Sequence, residues 1–339
     1  MHRRSIALSV SLSVLLVTAC GSDDSAGSST DASLSVVATH SVLGAIVSDL
    51  VGDLAEVRVL IPNGIDPHEW EPSAKDVEAI NRASLVVANG LNLEEGLDSI
   101  LDTAESPVFY ATDHIEVLEM GDNSHAHDDH DDEHGDEHGD EHGDEHGDEH
   151  GDEHGDEHGD EHGDEHGDEH DGGDPHFWTD PLAVAEVVEH LTEELTTVGL
   201  DVAERAEALI ADLSALDAEV RESLSAIPVE DRVMITGHVS MAYFAAHYDF
   251  ELLGSIVPSF SSSAEATAAN LAELKEAIAA EGVSVIFAEL GAPDEVVRAL
   301  ADETGVRVIV VSYRLVPDDN TYRSFLLRLA SEVRDALTA

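Results

Sequence analysis

Asp-Pro-His occurs twice in this 339-residue chain, as Asp66-Pro67-His68 in GIDPHEWEPSAKD and as Asp174-Pro175-His176 in GDPHFWTDP. Each histidine is followed two places on by a tryptophan, Trp70 and Trp178, and the sequence contains no others. Imidazole is a neutral nitrogen donor of the kind zinc takes, together with carboxylate oxygen and thiolate, usually four in a tetrahedron. A proline beside the ligand restricts the backbone beforehand, so less entropy is lost when a metal arrives. The Asp that opens each motif is placed to orient the ring from behind. Between the motifs runs a Gly-Asp-Glu-His repeat, a composition that binds divalent metal rather than packing into a core. Two rigid turns bearing histidine, with a metal-collecting tract between them, make metal handling the leading expectation.

The third candidate is His238 in ITGHVSMAYFAAHYDFE, where an apolar strand gives way to a helix; a core or helix-end histidine is the competing reading. His40, at another strand end, has a weaker case. His247 reads as surface or packing, and His190 falls on the solvent side of a helix. In the repeat, His134, His138, His142, His146, His150, His154, His158, His162, His166 and His170 recur every fourth residue. Imidazoles on a flexible chain, with carboxylates adding attraction but no fixed geometry, give weak, fast-exchanging sites for zinc, nickel or copper. A low-complexity expansion without function is the alternative. Ligating imidazoles must be neutral, so zinc affinity is expected to fall as pH drops through about 6.5.

The net charge of −59 argues against nucleic acid or an anionic membrane surface as partner. Of the 74 acidic residues, 26 lie between positions 122 and 174, which leaves 48 against 15 basic ones elsewhere. A cation-binding role and a salt-adapted proteome would each produce that surface. The N-terminus reads as a targeting signal, with basic His2-Arg3-Arg4, an apolar stretch over 6–17, and Leu16-Val17-Thr18-Ala19-Cys20 at its end. Cys20 is the single cysteine and stands where a bacterial lipoprotein signal is cut and the new terminal cysteine lipidated. Residues 1–19 are thus expected to be a signal peptide and 20–33 a Ser/Gly/Asp-rich flexible tether. The mature chain would have no disulfide and would be anchored by acyl chains rather than by a span.

Holding the histidines requires a scaffold, and the hydrophobic pattern supplies one. Strands are expected over 34–39, 57–61, 85–88 and 108–110, with helices at 42–51 (capped by Ser41), from Ser73, and at 93–101. Periodicity stops after Met120, so the insertion 122–172 should be a disordered loop. An amphipathic helix is expected at 182–195, and a long one from Asp201 to about 227, close to 40 Å at 1.5 Å per residue, looks like a strut between lobes, with an ordinary long core helix as the alternative. Strands at 232–236, 250–256, 283–288 and 306–311 then alternate with helices at 239–247, 264–280, 294–303 and 322–337. The reading is α/β: two Rossmann-like lobes with mostly parallel sheets, 34–180 and 229–339, joined by helices within 181–228. Ligands in such sheets bind beyond the carboxyl ends of the strands, where His40, His68 and His238 fall.

Taken in order, GIDPHEWEPSAKD, DPHFWTDP, ITGHVSMAYFAAHYDFE and EATAANLAELKEAIAAEGVSVIFAE resemble the zinc and manganese solute-binding proteins of bacterial ABC importers. The resemblance covers nearly everything after the tether. It implies two α/β lobes joined by a long rigid backbone helix, one metal in the cleft, and His68, His176 and His238 as its ligands. It also implies an ABC permease as partner, a monomer lipid-anchored outside the cytoplasm, and zinc rather than manganese as cargo, since manganese members tend to carry a carboxylate where His238 stands. Many members supply a fourth ligand, an Asp, just after the last strand. Here Tyr313 or Arg314 stands about there, so water, Asp318 or Asp319 would have to complete the set. Glu289 is a further carboxylate near the cleft, with a structural role expected. A surface metal-dependent adhesin is an alternative function. A zinc hydrolase is a remoter one, because no general base accompanies the histidines, and no enzyme activity is expected.

Overall fold

The computed structural model describes residues 34–119, 173–289 and 294–339. The expected signal peptide (1–19), Cys20, the expected tether and the Gly-Asp-Glu-His insertion with its histidines lie outside the described residues. Two four-stranded sheets carry the chain, and each is built the same way. In the first, β1 (Ser35–Ala38), β2 (Glu56–Val59), β3 (Leu85–Ala88) and β4 (Val108–Tyr110) lie in the order β2-β1-β3-β4. In the second, β5 (Val233–His238), β6 (Glu251–Val257), β7 (Val285–Glu289) and β8 (Arg307–Val311) lie in the order β6-β5-β7-β8. All of these pairings are parallel. Parallel strands covered on both faces read as unbroken apolar runs, which is why Leu85–Ala88 is buried at every position while the edge strand Glu56–Val59 alternates.

Helices cover the sheets: α1 (Ser41–Val51), α2 (Ala74–Arg82) and the single turn α3 (Asp98–Leu101) in the first half, then α6 (Ala242–His247), α7 (Ala268–Glu281), α8 (Asp294–Thr304) and α9 (Tyr322–Thr338) in the second. Between the sheets the chain runs through α4 (Pro181–Thr197) and α5 (Ala203–Leu224). With 22 residues, α5 is about 33 Å long, shorter than expected because Asp201 and Val202 lie before its first turn and Ser225 ends it. Its buried stripe, Ala206, Leu213, Leu216, Val220 and Leu224, meets α1, α4 and α9, so one helix seats elements of both halves. One core cluster accordingly runs from Val36 through α5 to Val333. Smaller clusters lie under α2, around Ile80, and under α7 and α8, around Leu274 and Leu300.

Several local expectations are corrected. Ser41 does not cap α1; His40 does, its Nδ1 accepting the Leu43 N–H at 3.5 Å. Regular helix is confined to Asp98–Leu101 within 93–101, because Leu91 and Asn92 take positive φ and Glu94 turns inward to bind backbone amides. The helix expected at 239–247 begins only at Ala242, since Val239 still donates to Ser259 and Ser240 is bonded to Glu289. The one expected at 264–280 starts at Ala268, where Thr267 caps it. Ser73 opens α2 as expected, through a capping box with Asp76, and α4 begins one residue before the expected 182, with Asp180 capping it and Pro181 in its first turn.

Candidate metal centre

Each of the three histidines sits where regular structure ends. His68 lies in the loop after β2, immediately behind Pro67. His176 starts the single 3-10 turn Phe177–Thr179 before α4, and His238 is the last residue of β5. All three are buried, and one ring nitrogen from each falls within 4.8 Å of the others. Among the described residues no other set of three His, Cys, Asp or Glu side chains converges this way. His176 Nε2 and His238 Nε2 are 3.4 Å apart. Two donors each 2.0–2.1 Å from a tetrahedral zinc stand about 3.3–3.4 Å apart, so this pair already has the spacing of two zinc ligands.

Carboxylates behind the rings fix which nitrogen faces inward. Asp174 Oδ1 lies 2.7 Å from His176 Nδ1 and also accepts the His176 backbone N–H at 2.9 Å. Glu289 Oε1, at the end of the neighbouring strand β7, lies 3.3 Å from His238 Nδ1 and accepts from Ser240 Oγ at 2.8 Å. A carboxylate on Nδ1 holds the proton there and leaves the Nε2 lone pair for a metal. Glu289 does more than the structural role expected of it, and Gly237 makes room, since a Cβ there would meet its Oε2 at 1.8 Å.

Burial sets the charge states. It pushes His68 down to about 3, helped by His176 and His238, and pushes His176 well below the usual imidazole range. Both rings are therefore neutral, as ligation requires, and proton competition at them begins far below the 6.5 expected of free imidazole. Burial also raises Asp174 to about 7, against the amide bond from His176. For Glu289, burial pulls upward but His238 and the hydrogen bonds from His238 and Ser240 outweigh it, and the net direction is down.

The aromatic wall is formed by Trp178 and Tyr313, stacked at 6.5 Å, with their rings 5.3 and 6.1 Å from that of His176. Trp178 Nε1 donates to the Tyr313 carbonyl at 2.9 Å. Despite the matching sequence motifs, Trp70 packs instead against the outer cluster around Ile80. Burial raises the Tyr313 hydroxyl well above its ordinary range, which keeps it a phenol rather than a phenolate ligand. Asp318 and Asp319 are not brought to the centre. Both are exposed, and Asp319 turns to the start of α9, where it accepts from Thr321 N and Ser324 Oγ. After β8 the chain directs Arg314 to Val316 at the first half of the molecule and only then reaches these two residues.

The remaining histidines have other partners. His40 is buried under Trp178 at 4.8 Å, with Nε2 on Asn89 Oδ1 at 3.3 Å. His247 is held by Asp180 at 3.1 Å and Asp217 at 2.7 Å, and His190 stacks on His114 at 4.8 Å. Sequence reasoning missed Arg314 as a site residue. The available signal was an arginine among apolar residues just after a strand, where only a paired guanidinium is buried.

Two parallel-sheet lobes with buried donors converging between them define a metal solute-binding protein. The chain belongs to the family described as zinc-uptake complex component A, periplasmic, which matches residues 36–336. That is a family of metal-transport components rather than of enzymes, which removes the hydrolase alternative. Among relatives, the high-affinity zinc uptake system protein ZnuA of Bacillus subtilis is 29% identical over 307 residues, 88% of this chain and 84% of the relative. The zinc-binding lipoprotein AdcA of Streptococcus pneumoniae is 29% identical over 90% of this chain, which spans only 54% of that longer protein. The manganese-binding lipoprotein MntA of Halalkalibacterium halodurans is 23% identical over 87% of this chain and 83% of its own. In fold, the periplasmic zinc-binding protein TroA of Treponema pallidum superposes with a TM-score of 0.65 at 23% identity, covering 90% of this chain and 99% of that one. A manganese-bound periplasmic metal-binding protein of Candidatus Liberibacter asiaticus gives 0.65 at 17% identity, with the same coverage.

Proposed function

We propose that this protein captures a zinc ion between its lobes on His68, His176 and His238 and hands it to the ABC-type permease of a metal importer. The observation that carries the reading is the donor set itself: three buried imidazoles with ring nitrogens within 4.8 Å and no carboxylate among them. Manganese, a hard cation, favours carboxylate, carbonyl and water oxygen, whereas imidazole suits zinc. The zinc-named relatives support the same choice, and the manganese-named one marks the alternative cargo.

The same reading extends to the segments outside the described residues. Residues 1–19 serve as a lipoprotein signal, lipidated Cys20 with tether 20–33 anchors a monomer to the outer face of the membrane, and 122–172 collects metal loosely. The lobes divide at 34–180 and 229–339, with α4 and α5 between. Among the described residues no helix is long and apolar enough to cross a membrane.

The test is a zinc titration against a competing chelator, using a variant lacking 122–172. One tight zinc per chain is expected, and His68→Ala, His176→Ala or His238→Ala should each weaken it at least about tenfold, since loss of supporting groups alone costs that much. Three single variants that bind as tightly as their parent would refute the assignment.

A further inference from the structure

The three imidazoles of the proposed zinc site are not held alike. His176 and His238 each rest Nδ1 on a carboxylate, at 2.7 and 3.3 Å. Among the described residues, both buried nitrogens of His68 lack a hydrogen-bond partner, and the nearest carboxylate oxygen, on Glu95, is 3.9 Å away. The aim of the His68 ring is therefore set by its backbone. That backbone is gripped by Asp66, whose Oδ1 accepts the His68 N–H at 3.2 Å. The other oxygen, Oδ2, accepts from Arg314 Nη1 at 2.5 Å and from Ser262 Oγ at 2.9 Å, both belonging to the second lobe. One carboxylate thus holds the His68 turn with one oxygen and the opposite lobe with the other.

Arg314 is suited to that position. Only 5% of it is exposed; its Nη1 also donates to the Tyr313 hydroxyl at 3.2 Å, and its carbonyl accepts from Ser41 in the first lobe at 3.3 Å. Nearby, Asn63 and Val316 exchange two hydrogen bonds across the same gap, at 2.7 and 2.8 Å. Asp66, Arg314 and Ser262 line a small cavity together with His238 and Glu289, so the pair adjoins the metal centre itself. A buried ion pair contributes little net stability but fixes geometry, and removing one partner leaves a charge stranded.

We propose that Arg314 is a positioning residue for metal capture: through Asp66 it fixes the His68 turn against the second lobe and completes the three-imidazole site from the far side of the cleft. The proposal rests on the reading of His68, His176 and His238 as ligands. A zinc already on His176 and His238 must lose its third imidazole before it escapes, so the latch acts on release more than on entry.

The experiment loads the full chain with half an equivalent of zinc, so that the tight site dominates, and chases it with excess chelator. Arg314→Met should speed release about tenfold, the low end for loss of a group supporting a ligand, with entry changed less than twofold. Arg314→Lys, which keeps the charge, should recover part of that loss. In a His68→Ala background, Arg314→Met should change release less than twofold, an outcome a merely structural role would not give. If Arg314→Met does not fold, the double variant Asp66→Asn/Arg314→Met, which leaves no stranded charge, is read in its place with the same expectation. Release at the parental rate, or equal acceleration with and without His68, overturns the latch alone. A parent chain that retains no zinc against the chelator overturns the ligand reading and the latch with it.

Discussion

The two lobes share one strand order, and each ends an inner strand in or beside a histidine, yet the two residues have opposite fates. In the first lobe His40 follows β1, and both its nitrogens are taken, Nδ1 by the Leu43 amide and Nε2 by Asn89. Asn89 in turn donates to the Pro175 carbonyl, and Glu94 accepts from Thr39 and the Asn89 amide, which closes that strand end into a hydrogen-bonded network. In the second lobe His238 ends β5, and only Nδ1 is taken, by Glu289 at the end of β7. Its Nε2 faces His176. Topology brings a histidine to both strand ends; the partner across the sheet, Asn89 or Glu289, decides which ring keeps a lone pair for metal.

That contrast can be broken at its partners. Glu289→Gln should weaken zinc binding about tenfold or more, and Asp174→Asn similarly, because each removes the carboxylate that orients a ligating ring. His40→Ala should leave zinc affinity within about twofold while lowering stability by roughly 1–2 kcal/mol, the range for losing a helix cap and a buried hydrogen bond. Titration and urea unfolding of the same variants check both halves. A His40 variant that loses zinc, or a Glu289 variant that does not, would erase the distinction between the two strand ends.

His247 shows a third fate, and the effect expected there is smaller. Burial lowers its pKa, but Asp180 and Asp217 on its two nitrogens outweigh that, and the net shift is upward. Arg221 Nη2, 3.0 Å from Nε2, opposes the charge without reversing the shift. A raised folded value means the contribution is fully present below the unfolded value of about 6.5 and is lost as pH rises through the folded one. The stability gap between the parent and His247→Asn should therefore shrink from acid to alkaline pH. Its size should be on the order of 1 kcal/mol, since the residue is half buried and partly screened. A gap that widens with pH would contradict the charged assignment.

The sequence made the scaffold and the imidazoles legible for separate reasons. Buried parallel strands write themselves as apolar runs, as in LVVA over Leu85–Ala88, and proline before histidine marks a rigid turn. What it left open depended on pairing across the chain. Glu289 could be placed at a strand end, but its contact with His238, 51 residues earlier, required the β5–β7 neighbourhood. Proximity to the last strand points to Asp318 and Asp319, while the chain uses the intervening Arg314 to meet Asp66, 248 residues away. Identical motifs also diverge: both aspartates accept the backbone N–H of their own histidine, but Asp174 also orients the ring, whereas Asp66 turns its other oxygen to the opposite lobe.

The most direct test of the account is zinc-edge X-ray absorption on a variant lacking 122–172, loaded with one zinc per chain. Three imidazoles at 2.0–2.1 Å, with at most one further light donor, are predicted, and His238→Ala should reduce the imidazole count by one while His40→Ala leaves it unchanged. A shell dominated by oxygen at six-coordinate distances, or an imidazole count that falls with His40 and not with His238, would contradict it.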